Sequence, residues 1–301
     1  GIIAGAYIAF AAVASNTAAF QLMNNPSTLG ISKLISAFVF SGGLILVVVC
    51  GSELFTGNNL MLMGVYEKKI SVKQLLLSWT TVYISNFVGS ILIAFLVTKS
   101  GQLDFASSML GGSTIKIACA KVSLSTHKAI ILGILCNWLV CLAVWGSTAA
   151  RNIGSKIMAI FFPIMMFVTA GFEHSIANMY YISAGIFAKG NIQYMDAAIQ
   201  LGVKQSDIVS LDWTSFLIGN LIPVTLGNIT KIVEDSIASS DFLKILKICN
   251  LKNEIIESKE IKEIVSNFKE KALSSIAMNN DLQITLRHKY FEELEVKLLN
   301  K

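Results

Sequence analysis

A single histidine, His174, lies inside an apolar stretch, whereas His127 stands at the edge of such a stretch and His288 in a charged tail. An imidazole exchanges a proton near neutral pH, and a titratable group inside an apolar segment is costly, so His174 is a functional candidate. A neutral histidine that only packs and forms hydrogen bonds would fit the same position. The residue type therefore indicates either a functional titratable group or a buried packing residue.

The motif around His174, Gly-x-Glu-x4-Asn, occurs twice, at Gly51–Asn58 and at Gly171–Asn178. In both places glycine, a carboxylate and an amide interrupt an apolar run, which predicts a broken helix. Broken helices leave backbone groups unpaired, so within a membrane they must face protein or water. We expect Glu53 and Glu173 to pair with backbone N–H groups at the breaks or across the repeat, as structural residues.

Composition places the chain in a membrane. Of its 301 residues, 54% are hydrophobic and 14% are charged, with a mean hydropathy of +0.64, which is far from a soluble domain. Residues 1–230 carry 12 of the 24 basic and 7 of the 19 acidic residues. We therefore predict a transmembrane domain over 1–230 and a charged, helical cytoplasmic tail over 231–301, with an amphipathic helix at Ile261–Ile276. The five cysteines form no C-x-x-C pair, so we assign them no metal or disulfide.

Six apolar runs are long enough to cross a bilayer about 30 Å thick. They cover roughly residues 1–22, 34–66, 73–97, 128–149, 157–188 and 213–230, and a long loop is expected from Lys99 to Lys128. Trp-Thr-[Thr/Ser]-x-x-Ile-[Ser/Gly]-Asn occurs in the third run, ending at Asn86, and in the sixth, ending at Asn220. Because a three-helix unit is odd-numbered, consecutive copies enter from opposite faces. The sequence predicts an all-α membrane protein of two inverted three-helix repeats, aquaporin-like, with its second and fifth helices interrupted.

Three stretches resemble helices of the formate/nitrite transporter family. They are Gly51–Asn59, similar to its interrupted second helix, Gly171–Tyr180, similar to its interrupted fifth, and Asn220–Asn228, similar to its sixth. The resemblance spans nearly all of residues 1–230 and is greatest to the bacterial hydrosulfide channel branch. It implies a homopentamer in the cell (inner) membrane, each protomer passing small monovalent anions such as hydrosulfide, formate or nitrite, with protons involved. We also expect cytoplasmic termini, no cofactor, no enzymatic activity and no nucleic-acid partner.

The resemblance also implies roles for individual residues. His174 would lie at the pore centre and meet the anion, with Thr56, Asn137 and Asn178 around it. Apolar constrictions would lie on either side of the histidine, formed by Phe40, Leu44, Leu54, Phe55 and Phe167. Lys121 would concentrate anions in a vestibule. From the residues alone, Thr56 could equally cap a broken helix, the apolar side chains could simply pack, and Lys121 could be a solvated loop charge.

Other functions fit parts of the pattern. An aquaporin-like channel for neutral solutes would share the repeat, but two Asn-Pro-Ala motifs are absent from this sequence. A membrane scaffold or sensor would act through residues 231–301. A membrane enzyme would need a base, an orienting group and a reacting site together, and no such motif accompanies His174. The chain starts inside an apolar helix without the family's preceding amphipathic helix, which leads us to expect sequence upstream. Trp213–Thr230 gives about 27 Å of helix, so the sixth span is marginal.

Overall fold

The computed structural model describes residues 1–230, which fold into helices joined by short turns. The predicted tail at 231–301, with its amphipathic helix at Ile261–Ile276, lies outside the described residues. The helices are α1 Ile2–Met23, α2 Leu29–Val49, α3 Phe55–Asn58, α4 Leu62–Tyr66, α5 Val72–Lys99, α6 Met109–Val122, α7 Thr126–Ala149, α8 Ile153–Ala170, α9 Ser175–Ala188, α10 Ile192–Gln200, α11 Gln205–Ser210 and α12 Ser215–Thr230. Short 3₁₀ turns lie at Pro26–Thr28, Asn59–Met61 and Gln102–Asp104.

Within residues 1–230, five helical segments are long and apolar enough to cross a bilayer. They are Ile2–Met23, Pro26–Val49, Val72–Lys99, Thr126–Ala149 and Ile153–Ala170, and α12 is a shorter apolar helix whose first part, Ser215–Leu221, is π-helical. Large apolar side chains, among them Phe38, Leu77, Ile84 and Ile218, point away from the protein interior. An apolar outer surface of this kind suits contact with lipid or with another subunit.

The segment predicted as a long loop contains a buried helix, so that expectation was wrong. Within Lys99–Lys128, α6 packs against α9 and α10 and buries Leu110, Ile115 and Ala118. Its approach to α10 is close, since a Cβ on Gly112 would lie 2.7 Å from the main-chain carbon of Ala197. Lys116 and Lys121 break the hydropathy of this run, yet both are held by hydrogen bonds inside the structure. Hydropathy counts these charges as signs of exposure and so misses the helix.

The helix breaks after α2 and α8 have the same backbone geometry. Each helix ends at a glycine in the left-handed region, with φ of 72° at Gly51 and 77° at Gly171. The residue after each glycine donates its N–H back to a carbonyl of the last helical turn, from Ser52 to Val47 at 2.9 Å and from Phe172 to Phe167 at 3.0 Å. This is the Schellman ending, which satisfies carbonyls that the helix leaves free. Glycine is required at both positions because other residues avoid positive φ.

One asparagine closes each break. Asn86 on α5 accepts the N–H of Phe55 at 2.9 Å and donates to the carbonyls of Glu53 at 3.0 Å and Gly1 at 2.8 Å. On α12, Asn228 makes the matching set: it accepts the N–H of Ser175 at 3.0 Å and donates to the carbonyls of Glu173 at 3.1 Å and Gly133 at 2.8 Å. Both side chains are fully buried. The two amides therefore replace the backbone partners that the broken helices lost.

This geometry corrects the alignment suggested by the two Trp-Thr segments. That alignment pairs Asn86 with Asn220, but Asn228, further along the same helix, makes the contacts that correspond to those of Asn86. Asn220 instead accepts from the side chain of Asn178 and donates to the carbonyl of Lys121. The two sequences match in a shifted register because apolar helices are built from few residue types. The hydrogen bonds identify which positions correspond.

Glycines allow helices to touch through their backbones at two further crossings of the described residues. A Cβ on Gly5 of α1 would lie 2.1 Å from the carbonyl oxygen of Asn86, and one on Gly89 of α5 would lie 2.0 Å from that of Ile2. Where α7 meets α12, a Cβ on Gly227 would lie 2.2 Å from the carbonyl oxygen of Ile130. Small residues at such crossings are how membrane helices gain packing contacts.

We predict that Gly89→Ala destabilises the protein by about 2 kcal/mol or more, because the added methyl group meets a backbone oxygen that cannot move aside. Gly42→Ala is the matched control: it lies in α2 with open space around the position of a Cβ, and alanine favours a helix. Thermal unfolding in detergent should show a lower Tm for Gly89→Ala alone. Equal Tm values for the two variants would contradict the close crossing.

Candidate functional site

His174 sits in the second break, as the residue that precedes α9. Its backbone is extended, with φ −111° and ψ 116°, and its side chain is 4% exposed. Ring Nδ1 accepts the N–H of Ala177 at 3.1 Å, so the imidazole caps the helix that follows it. Ring Nε2 lies 2.9 Å from Oγ1 of Thr56, which belongs to α3 after the first break. The predicted contact between His174 and Thr56 thus joins the two breaks.

These two contacts define how the neutral ring is protonated. Because Nδ1 accepts a hydrogen bond from the backbone, the proton of a neutral imidazole belongs on Nε2. Nε2–H then donates to Thr56, and the Thr56 hydroxyl keeps its own hydrogen for another acceptor. Among the described residues, the Thr56 hydroxyl has one hydrogen-bond partner, His174. The pair therefore offers an O–H donor whose orientation is controlled by a histidine.

Two cavities meet at the histidine. The larger, called here the vestibule, has a volume of about 160 Å³ and is lined by residues of α1, α2, α6, α8 and α9 and by the second break, including Met23, Ile117, Lys121, Gly171 and Glu173. The smaller has a volume of about 10 Å³, which is the space of one water molecule. Both cavities have Phe40, Phe167 and His174 in their walls. These three side chains therefore separate a wide compartment from a narrow one.

The walls of the smaller cavity are apolar. They include Phe40, Leu44, Leu54 and Phe167, four of the five residues that the sequence assigned to a constriction, together with Ile8, Val140 and Ile164. The rings of Phe40 and Phe167 meet edge to face at 6.0 Å, and Phe167 stacks on the His174 ring at 5.9 Å. Phe55 lines neither cavity and packs between Trp79 and Tyr83, at 6.0 and 4.8 Å. A cavity this small and apolar has no room for a hydrated ion.

Lys121 and Glu173 form a buried ion pair on the wall of the vestibule. Lys121 Nζ lies 2.9 and 3.0 Å from the two carboxylate oxygens, with the side chains 16% and 8% exposed. The ammonium also lies 5.4 Å from the ring centre of Tyr181, a distance at which a cation is attracted to an aromatic face. The carboxylate of Glu173 thus accepts hydrogen bonds from a lysine and from the amide of Asn178. At the break itself, the main-chain carbonyl of Glu173 accepts from Asn228.

Asn137 and Asn178 donate their side-chain amide hydrogens to protein groups other than His174. Asn178 Nδ2 donates to Glu173 at 2.6 Å and to Asn220 at 2.7 Å. Asn137 Nδ2 donates to the carbonyl of Asn228 at 2.6 Å and to Cys141 Sγ at 3.6 Å. Neither amide contacts the imidazole in the described hydrogen bonds. Glu53 at the first break accepts from Asn58 and, unlike Glu173, is exposed.

Sequence reasoning missed the closing residues Asn86 and Asn228 as parts of the site. Asn228 holds the backbone of Glu173 and Ser175, the residues on either side of His174 in the chain. The signal that could have identified both was available, because a buried amide in an apolar helix must find partners and so marks a point of structure or function.

We predict that Lys121→Met destabilises the protein by about 3 kcal/mol or more, because it leaves the Glu173 carboxylate buried without its counter-ion. The double variant Lys121→Met/Glu173→Gln should recover much of that loss, since a neutral amide needs no cation. Tm in detergent measures both. An unchanged Tm for Lys121→Met, or no recovery in the double variant, would show that the pair is solvated and exchangeable.

The formate/nitrite transporter family model matches residues 1–230. The formate channel FocA of Haemophilus influenzae is 40% identical over 229 residues, which is 76% of this chain and 80% of that protein. FocA of Escherichia coli K12 is 38% identical over 228 residues, 76% and 79% of the two chains. A probable formate transporter of Methanothermobacter thermautotrophicus is 38% identical over 241 residues, 75% and 81% of the two chains. These relatives are channels or transporters, not enzymes.

Two solved structures of related channels resemble this chain. A pentameric formate channel with formate bound aligns with a TM-score of 0.70 at 35% identity and covers 81% of this chain and 94% of that one. An FNT family ion channel aligns with a TM-score of 0.60 at 30% identity and covers 77% and 83%. With several apolar helices that could cross a bilayer, this chain is a multi-pass membrane protein, and it belongs to the formate/nitrite transporter family.

Proposed function

We propose that this protein conducts formate across the cell membrane through a pore in each protomer. The observation that carries the proposal is the His174–Thr56 pair, buried where a 160 Å³ vestibule meets an apolar constriction. The relatives named as formate channels or transporters support formate as the first substrate to test. Nitrite and hydrosulfide are also small monovalent anions, and the resemblance to the hydrosulfide branch makes hydrosulfide the second.

The constriction sets the energetic problem that the pair must solve. An anion leaving the vestibule loses water, and an unpaired charge in an apolar passage is strongly disfavoured. The Thr56 hydroxyl can donate to the anion while accepting Nε2–H from His174. Donors already oriented towards a charge need no reorganisation when it arrives.

Proton delivery to the anion needs a change in this arrangement. Only an imidazolium can donate a full proton, and its Nδ1–H would oppose the N–H of Ala177. The ring would therefore have to rotate or release the start of α9. As held, His174 acts as a hydrogen-bond donor, and proton-coupled transport requires the released state. Flux at two pH values separates the two modes.

We propose further that the chain assembles as a homopentamer with both termini in the cytoplasm. The formate channel structure aligned above is pentameric, and the apolar outer surface of this chain suits contact between subunits. Two inverted three-helix units are supported by the matched Schellman endings and by the matched contacts of Asn86 and Asn228. Phe40, Leu44, Leu54 and Phe167 would form the constriction, with Asn137 and Asn178 supporting the histidine through Asn228 and Glu173.

Radiolabelled formate and hydrosulfide flux into proteoliposomes tests the central histidine. We predict that His174→Ala lowers formate flux at least tenfold and removes its dependence on pH, because the ring that orients Thr56 and can carry a proton is gone. His127→Ala, which removes an exposed histidine at the start of α7, should behave like the unmodified protein. A chain that passes neither anion, or that passes glycerol instead, would contradict the proposed function.

The threonine hydroxyl can be tested separately. Thr56→Val keeps the shape but leaves Nε2–H without its partner, so we predict a roughly tenfold loss of formate flux. Thr56→Ser restores the hydroxyl and should retain most of the flux. If Thr56→Val conducts as well as Thr56→Ser, the hydroxyl serves only to cap the broken helix.

A further inference from the structure

Two side-chain amides share one carbonyl oxygen beside the second break. Asn59 Nδ2 donates to the main-chain carbonyl of Asn228 at 3.4 Å, and Asn137 Nδ2 donates to the same oxygen at 2.6 Å. Because a carbonyl oxygen only accepts, the nitrogen of each amide must face it, and each amide oxygen must face elsewhere. Among the described residues neither amide oxygen has a hydrogen-bond donor, and both side chains are fully buried. A buried acceptor without a donor is costly, so these oxygens call for a donor that the hydrogen bonds above do not supply.

One buried hydroxyl has the opposite deficiency. The oxygen of Thr56 accepts Nε2–H of His174, and the hydroxyl hydrogen has no acceptor among the described residues. Thr56 lies shortly before Asn59 in the same helical turn, since Asn59 has a helical φ of −56° and ψ of −31° and its N–H bonds the carbonyl of Phe55. Side chains at this spacing on a helix are neighbours, with Cβ atoms about 5–6 Å apart. A donor without an acceptor and an acceptor without a donor are thus neighbours in the same buried turn.

The second break lacks both of these groups. In the in-register match of the two breaks, Ile176 stands where Thr56 stands, and Met179 stands where Asn59 stands. Both of these apolar side chains are fully buried. The hydroxyl and the amide oxygen therefore occur together in one break and are absent together from the other. This is the pattern expected if the two groups serve each other and not the backbone geometry that the breaks share.

Asn59 is better placed than Asn137 to serve the hydroxyl. Its 3.4 Å contact with Asn228 is long for a hydrogen bond, so its amide can turn at little cost. Asn137 is fixed by its 2.6 Å bond to the same carbonyl and by a second contact with Cys141 Sγ at 3.6 Å. Asn137 also belongs to α7, whereas Asn59 and Thr56 belong to one short segment of the chain.

We propose that Asn59 is a positioning residue whose Oδ1 accepts the Thr56 hydroxyl hydrogen while no anion is bound, and releases it when formate arrives. This inference rests on the proposed function and identifies the resting partner of the hydroxyl. When the hydroxyl turns to the anion, Oδ1 of Asn59 loses its donor, so anion binding must break a buried hydrogen bond. Formate is therefore bound less tightly than Thr56 and His174 alone would bind it. A site in a conducting pathway needs this property, because an anion that binds too tightly does not leave.

The test is radiolabelled formate uptake into proteoliposomes by the full chain, with the half-saturating formate concentration and the maximal rate measured for each variant. Asn59→Met introduces the residue type that the second break carries at this place. We expect it to lower the half-saturating concentration roughly three- to tenfold and to lower the maximal rate, because the anion no longer competes with Oδ1 for the hydroxyl. In a Thr56→Val chain, which has no hydroxyl, adding Asn59→Met should leave the half-saturating concentration unchanged.

Two further variants keep the test decisive. Asn137→Met removes the other amide oxygen without a donor and is the matched control, which should not lower the half-saturating concentration. Asn59→Leu removes the same polar groups as Asn59→Met at nearly constant shape, and it replaces Asn59→Met if that variant has a much lower Tm in detergent.

A purely structural role for Asn59 predicts a different result. Loss of its bond to Asn228 would loosen the second break, which would raise the half-saturating concentration or lower the rate alike with and without Thr56→Val. That result, or an unchanged half-saturating concentration, would overturn the inference. A decrease that persists in the Thr56→Val chain, or that appears equally in Asn137→Met, would also overturn it. Absence of formate uptake by the unmodified chain would instead reject the proposed function.

Discussion

A helix that breaks inside a bilayer must find partners for its free backbone groups, and this requirement organises the whole protein. Each break uses a glycine at positive φ to end one helix and an asparagine from another helix to hold the next. Asn86 and Asn228 each also donate to a further segment, through the carbonyls of Gly1 and Gly133. The break, the helix that supports it and the helix beside it are therefore tied together at one side chain.

The two breaks share a backbone but differ in chemistry. Leu54 and His174 occupy the same place, the extended residue before the helix that follows each break, with φ of −111° in both. One contributes an apolar wall and the other an imidazole. Thr56, shortly after Leu54, then meets the ring across the gap. A site that neither break could form alone arises because the two are alike in backbone shape and differ in side chains, with Leu54 against His174 and Thr56 against Ile176.

The described lysines differ in how their charges are compensated. Lys121 neutralises Glu173 and lies over Tyr181, so its charge serves the folded structure. Lys116 and Lys33 have no described carboxylate within ion-pair distance. The Lys121–Glu173 pair keeps the buried carboxylate from being an isolated charge in the fold.

Local patterns in the chain were enough to predict the membrane class, the two broken helices and the residues at their centre, because apolar runs and buried polar motifs follow directly from the cost of desolvation. The Gly-x-Glu-x4-Asn match was in register, since a helix that ends at positive φ restricts that residue to glycine. The correspondence of Asn228 with Asn86, the burial of α6 and the pairing of Lys121 emerged from the fold alone. They depend on contacts between residues 31 to 95 positions apart, and no local pattern of apolar or charged residues records which partner a side chain reaches.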